Sequence, residues 1–196
     1  MPLLTPHMTA KETALLASLC HDGCNVLEFG CGGSTQFFFE QGALHVVSVE
    51  SDPDWIREMR QNPVTGYFLR KKRWWPQYAD IGPVKKWGYP INATPSPGWS
   101  QYHQTIWDTL PYDRPDIVLI DGRFRVACLC QALLREKHGS PLVVVHDFWE
   151  RDCYHIVLAL CEIVAKADSM AVLRKGESAT PERLRLVLGV HKHDPR

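Results

Sequence analysis

The chain lacks net charge. Its 22 Lys+Arg residues balance 22 Asp+Glu residues within 196. Without a positive field over the whole molecule, neither nucleic acid nor a membrane surface is expected as a partner. No stretch approaches the roughly 20 consecutive apolar residues that cross a bilayer. The opening MPLLTPHMTAKETALLASLC has no basic stretch followed by an unbroken apolar run, so it does not read as a signal peptide. Paired cysteines are missing too. The seven present, at 20, 24, 31, 128, 130, 153 and 161, are an odd number without zinc-knuckle spacing. Several lie in apolar runs such as VACLCQALL, where a thiol behaves as a small buried hydrophobe. Reduced cysteines, no structural metal and a cytoplasmic location are the expectation. Internal repeats and low-complexity tracts are also lacking. The length suits one domain and is too short for two ordinary ones.

What is present alternates. Thr9 and Glu12 fit a capping box that opens a helix ending near Gly23. Asn25–Phe29 reads as a short buried strand, followed by a glycine-rich turn and a helix over 34–41. His45–Glu50 reads as a second strand, and Asp52-Pro53 opens another helix. Residues 63–112 differ. They hold five of the seven tryptophans and much of the proline, and read as an aromatic-rich insert with a third strand near Tyr78-Ala79-Asp80 and a loop over 82–100. Alternation resumes with a strand at 116–120, a helix over 124–137, a strand at 141–145 and a helix over 151–167. Two β-like runs, 170–174 and 183–190, close the chain. This order predicts a three-layer, doubly wound α/β fold whose sheet is mostly parallel and ends in an antiparallel hairpin.

Chemistry gathers first at the glycine turn, Glu28-Phe29-Gly30-Cys31-Gly32-Gly33-Ser34-Thr35. Glycines there let backbone approach a ligand, and the helix that follows offers free N–H groups. Glu50 ends the second strand, where a carboxylate can accept hydrogen bonds from both hydroxyls of a ribose. Together these point to a nucleoside-containing ligand. The dinucleotide fingerprint wants a third Gly at the position held by Thr35 and has no need of an acid at Glu28. A nicotinamide-dependent oxidoreductase is therefore disfavoured.

The stretches LEFGCGGS and VVSVES resemble the first two motifs of the class I S-adenosylmethionine-dependent methyltransferases, with Ser34 in place of the last Gly. The resemblance runs over about residues 20–190. It implies S-adenosylmethionine as cofactor, with Gly30, Cys31, Gly32, Gly33 and Ser34 lining its methionine part and Glu28 and Thr35 also among the cofactor-binding residues. It places Glu50 at the ribose and Asp80-Ile81 at the adenine. The pattern IDG followed by HD, in IDGRFR and VVVHDFW, resembles a subgroup related to enzymes that methylate small-molecule or sugar hydroxyls. The expected partner is thus a small-molecule or glycan acceptor, with a homodimer as a further candidate.

Asp121 and Asp147 end neighbouring strands, and His146 precedes Asp147. Three readings stay open. The acids could hold a magnesium ion. His146 could be a metal-free general base oriented by Asp147. The acids could only cap the helices after them. The site assigned is Asp121, His146 and Asp147 as catalytic residues, with no metal ligand. Arg123, Arg125 and Arg151 flank this mouth and suit a carboxylate or phosphate. Arg70-Lys71-Lys72-Arg73 reads as a solvated face. A non-catalytic S-adenosylmethionine-binding domain is the rival from another class.

Overall fold

A computed structural model describes residues 4–92, 94–135 and 141–196. Helix α1 (Ala10–Leu19) leads into strand β1 (Asn25–Phe29), helix α2 (Gly33–Glu40) and strand β2 (His45–Glu50). Helices α3 (Pro53–Gln61) and α4 (Pro63–Arg70) precede β3 (Trp74–Tyr78). A two-stranded hairpin, β4 (Val84–Lys85) and β5 (Tyr89–Pro90), and helix α5 (Gly98–Gln104) follow. Then come β6 (Ile117–Ile120), α6 (Arg125–Leu134), β7 (Leu142–Val145), β8 (Cys161–Ala167), β9 (Met170–Lys175) and α7 (Pro181–His191).

The main sheet has the order β3-β2-β1-β6-β7-β9-β8. Strands β3, β2, β1, β6 and β7 run parallel, and β9 is antiparallel to both β7 and β8. Successive strand residues face opposite sides, and the core divides accordingly. Leu27, Phe29, Val118, Ile120, Val143 and Val145 pack with residues of α5, α6 and α7. Val26, Val46, Ile117, Leu119 and Val144 pack under Leu16 of α1, Phe37–Phe39 of α2 and Met59 of α3. The result is the expected three-layer α/β fold. No helix of the described residues is long and apolar enough to cross a membrane.

The closing hairpin is present, but other residues build it. The helix expected over 151–167 is a 3-10 segment, Asp152–Ala159, followed by β8. The strand expected at 183–190 is instead helix α7. Thr180 caps it by accepting from the Arg183 N–H, and Pro181 and Glu182 fill its first turn. Those starting signals outweigh the β-like composition of LRLVLGV. The third strand also lies earlier than expected, at 74–78. It is an edge strand, the place where a sheet tolerates a proline such as Pro76. Pro63–Tyr78 therefore belongs to the main layers, and the irregular insert starts after Tyr78. The loop expected over 82–100 contains the β4–β5 hairpin and the start of α5. The expected helix end at 136–137 lies outside the described residues.

Candidate functional site

The strand order reverses between β1 and β6, so a cleft opens at their carboxyl ends. Gly30 leaves β1 with φ +94°, and its N–H donates to the Val49 carbonyl at 2.8 Å. A Cβ on Gly30 would stand 3.1 Å from the Gly122 nitrogen. The two loops at the switch point thus meet backbone to backbone, which only glycine allows.

Glu28 lies beneath this loop and is fully buried. It accepts hydrogen bonds from Ser34 Oγ at 2.8 Å, Ser48 Oγ at 2.6 Å and Thr35 Oγ1. Thr35 Oγ1 in turn accepts from the Gly32 N–H at 3.1 Å, and Trp74 Nε1 donates to Ser48 Oγ at 2.8 Å. Burial pushes the Glu28 carboxyl up to about 7, in spite of the three hydroxyls that favour its charge. As placed, Glu28, Ser34 and Thr35 brace the glycine turn from inside.

Glu50 closes β2 at the cleft. Its Oε1 accepts from the Ser51 and Asp52 N–H groups at 2.6 and 2.9 Å, and its Oε2 from the Cys31 N–H at 3.2 Å. Burial nevertheless raises its pKa above the ordinary carboxylate value. Cys31 is half-buried, and its carbonyl accepts from Trp55 Nε1. Gly32 is buried, and a Cβ there would make only ordinary contact with the Trp55 ring, at 3.8 Å. Asp80 is exposed and accepts from the Gly82 N–H, while Ile81 is buried in the core beside it.

Two peripheral segments come over this ground. A Cβ on Gly33 would fall 2.1 Å from the Thr5 carbonyl oxygen, so the amino-terminal arm passes directly across the start of α2. The Leu4 N–H donates to Gln36 Oε1. The β4–β5 hairpin lies along Glu50: Ser51 Oγ donates to the Gly88 carbonyl at 3.4 Å. Its tip residue Trp87 has φ +66°, is 65% exposed and meets the His7 ring at 5.9 Å. Arm and hairpin together border the mouth.

At the ends of β6 and β7 the structure brings Asp121, His146 and Asp147 together. One ligand-type atom of each lies within 4.8 Å of the others. Strand β7 stops at Val145, and Asp147 turns the chain with φ +52°. His146 and Asp147 can therefore serve one place. His146 Nδ1 is 3.0 Å from Asp121 Oδ1 and 3.6 Å from Asp147 Oδ1. Its Nε2 is 3.4 Å from Glu12 Oε2. Burial works against charge on the ring, yet Asp121, Asp147 and Glu12 raise its pKa. Arg125 lies between the two acids, with Nη2 at 3.2 Å from Asp121 Oδ1 and 3.3 Å from Asp147 Oδ2. Arg151 Nη2 meets Asp147 Oδ2 at 2.6 Å. Burial raises the Asp121 pKa, but the His146 hydrogen bond and the charges of Arg125, His146 and Arg123 lower it, with the net effect downward.

Charge in this cluster is thus balanced within the chain. Three carboxylates face His146, Arg125 and Arg151. Arg125 already engages Asp121 Oδ1 and Asp147 Oδ2, which leaves Asp121 Oδ2, Asp147 Oδ1 and a His146 nitrogen as the donors a divalent cation could use here. Glu12, absent from the sequence-derived site, belongs to the cluster. Burial opposes its charge, but Ser169 and Thr9 hydrogen bonds hold its pKa down at about 2. Its capping box was legible in the sequence; its reach to His146, 134 residues away, had no local signal.

No protein-family model and no curated protein matches the chain. Solved structures do. A methyltransferase-like protein from Silicibacter pomeroyi is 26% identical, with 98% of each chain covered and a TM-score of 0.82. An O-methyltransferase from Bacillus cereus, solved in complex with SAH, is 15% identical over 88% of this chain and 84% of that one, with a TM-score of 0.56. An N-methyltransferase from Bradyrhizobium japonicum, in complex with S-adenosylhomocysteine, is 12% identical over 85% and 86%, with a TM-score of 0.51. The fold, with a glycine turn after β1 and an acid ending β2, is that of the class I S-adenosylmethionine-dependent methyltransferases.

Proposed function

We propose that this protein binds S-adenosylmethionine and transfers its methyl group to a small molecule or glycan, at oxygen. The observation that carries the reading is Glu50, a buried carboxylate at the end of β2 with accepting capacity left on Oε2, beside the glycine turn. The bare backbone at Gly30 and Gly32 suits the methionine part, and Glu50 suits the ribose hydroxyls. The cofactor's share of the chemistry is an activated methyl group. The chain's share is to seat it, to exclude water under the arm and hairpin, and to orient the acceptor at Asp121 and Asp147. As a base His146 needs a ring nitrogen released from Asp121 or Glu12, since both nitrogens face carboxylates. That engaged ring also favours a second reading, a cofactor-binding domain without transfer. Free thiols agree with a cytoplasmic protein, and the balanced charge with a partner other than nucleic acid.

Calorimetric titration with S-adenosylmethionine and with NAD tests the cofactor. Binding of NAD alone would overturn the reading. Transfer of labelled methyl to a metabolite pool tests the reaction, and its absence with the cofactor bound selects the second reading.

A further inference from the structure

Arg123 is a charged group of the cleft with donors to spare. It is 5% exposed and helps to hold the Asp121 pKa down, yet its Nε and Nη1 are buried without a hydrogen-bond partner among the described residues. Its neighbours differ. Arg125 is spent on Asp121, Asp147 and the His146 carbonyl, and Arg151 on Asp147 and Tyr154. None of those ion pairs includes Arg123. A buried guanidinium with idle donors is costly to maintain, and in a cleft it signals a missing acceptor.

Its surroundings hold it ready. The Arg123 N–H donates to Tyr102 Oη at 3.2 Å, fixing the backbone. The guanidinium carbon stands 3.9 Å from the centre of the Tyr89 ring on β5. That contact takes one face of the planar group and leaves its edge donors free. Gly88 lets the hairpin lie close: a Cβ there would fall 2.8 Å from Ser51 Oγ, and within ordinary contact of Glu50 Oε1 at 3.7 Å and Arg123 Cγ at 3.9 Å. Arg151, by contrast, donates to Tyr154 Oη at 3.1 Å. The balanced total charge means that any attraction for an anion must be local, as here.

We infer that Arg123, seated on Tyr89, anchors an anionic group, a carboxylate or a phosphate ester, carried by the methyl acceptor. This rests on the methyltransferase reading and narrows the acceptor to acidic small molecules.

The test uses the full chain with simple anions. Melting temperature is followed against sodium phosphate and against sodium acetate, each compared with sodium chloride at equal ionic strength, with and without S-adenosylhomocysteine. Phosphate or acetate is expected to stabilise the protein beyond chloride. Response to phosphate alone indicates a phosphate ester, and to acetate alone a carboxylate. Arg123→Met, which keeps the stem on Tyr89, should weaken that response by about tenfold or more, as loss of a charged hydrogen bond does. S-adenosylhomocysteine affinity should stay within about twofold, since the hydrogen bonds that hold Glu50 come from Cys31, Ser51 and Asp52 and none from Arg123. Arg123→Lys keeps the charge and should retain part of the response; it replaces the Met variant if that one fails to fold. The inference is overturned if neither anion exceeds chloride, if Arg123→Met responds like the unaltered chain, or if Arg123→Met loses S-adenosylhomocysteine affinity. Failure of the unaltered chain to bind S-adenosylhomocysteine sinks the cofactor reading, while the anion series without cofactor still judges Arg123.

Discussion

Glu50 and Glu28 are two buried carboxylates with different surroundings. Glu50 takes its hydrogen bonds from backbone and Ser51 and faces the cleft. Glu50→Ala should weaken S-adenosylmethionine binding by about 1.5–3 kcal/mol, the range for lost charge-assisted hydrogen bonds. Titration of a variant with an intact melting transition checks this, and unchanged affinity removes the ribose assignment. Glu28 answers to pH instead. Its folded pKa of about 7 lies above the ordinary 4.5. A raised carboxyl stabilises the fold below its unfolded pKa, and that stability is lost as pH climbs through 7. The loss is on the order of 3 kcal/mol. Glu28→Gln carries no titrating proton. Its stability relative to the unaltered chain should therefore improve from about pH 5 to about pH 8. Denaturant melts at both values decide the matter; a constant difference would mean that Glu28 stays charged or stays protonated throughout. Glu12, held at about 2, works in the opposite sense and supports stability above 4.5 that falls away toward pH 2.

Elements near the glycine turn were legible because strong local signals agree with the tertiary structure. The strands at 25–29, 45–50 and 142–145 are apolar runs bounded by glycine, proline or acid, and buried strands need no more. The errors fall where two signals compete. Cys161–Ala167 contains Glu, Lys and two alanines, a mix that suits a helix, and only pairing with β9 makes it a strand. In 183–190 the cap at Thr180 overrides composition. The arm's path was not legible, because Gly33 looks like one more member of the turn until Thr5 is placed on it. Gly33→Ala tests that contact. The new methyl group would overlap the Thr5 carbonyl, so the arm must leave while the sheet stays whole. Amide exchange at residues 4–8 should speed up, with the sheet amides unaffected. Uniform exchange across the chain would mean that the arm is part of the global unit.

At the scale of the whole molecule, seven cysteines produce no crosslink. All are free thiols. Burial pushes Cys31 and Cys128 well up, and Cys130 and Cys161 to about 12, so these stay protonated and inert. Dithiothreitol should leave the melting temperature unchanged, and a marked drop would reveal a disulfide that the fold does not contain. The sequence also indicated which strand ends would converge on the cleft; it had no means of indicating the closure of charge around His146, because each partner comes from a different element. One feature of the mouth has an optical consequence. Of the seven tryptophans, Trp87 is the exposed one, and it sits at the hairpin tip against His7. Its emission should dominate the red edge of the spectrum, where water relaxes around the excited indole. If S-adenosylhomocysteine binds beside the hairpin, that edge should move to shorter wavelength and resist acrylamide quenching. The protein would then report its own ligand without any label attached.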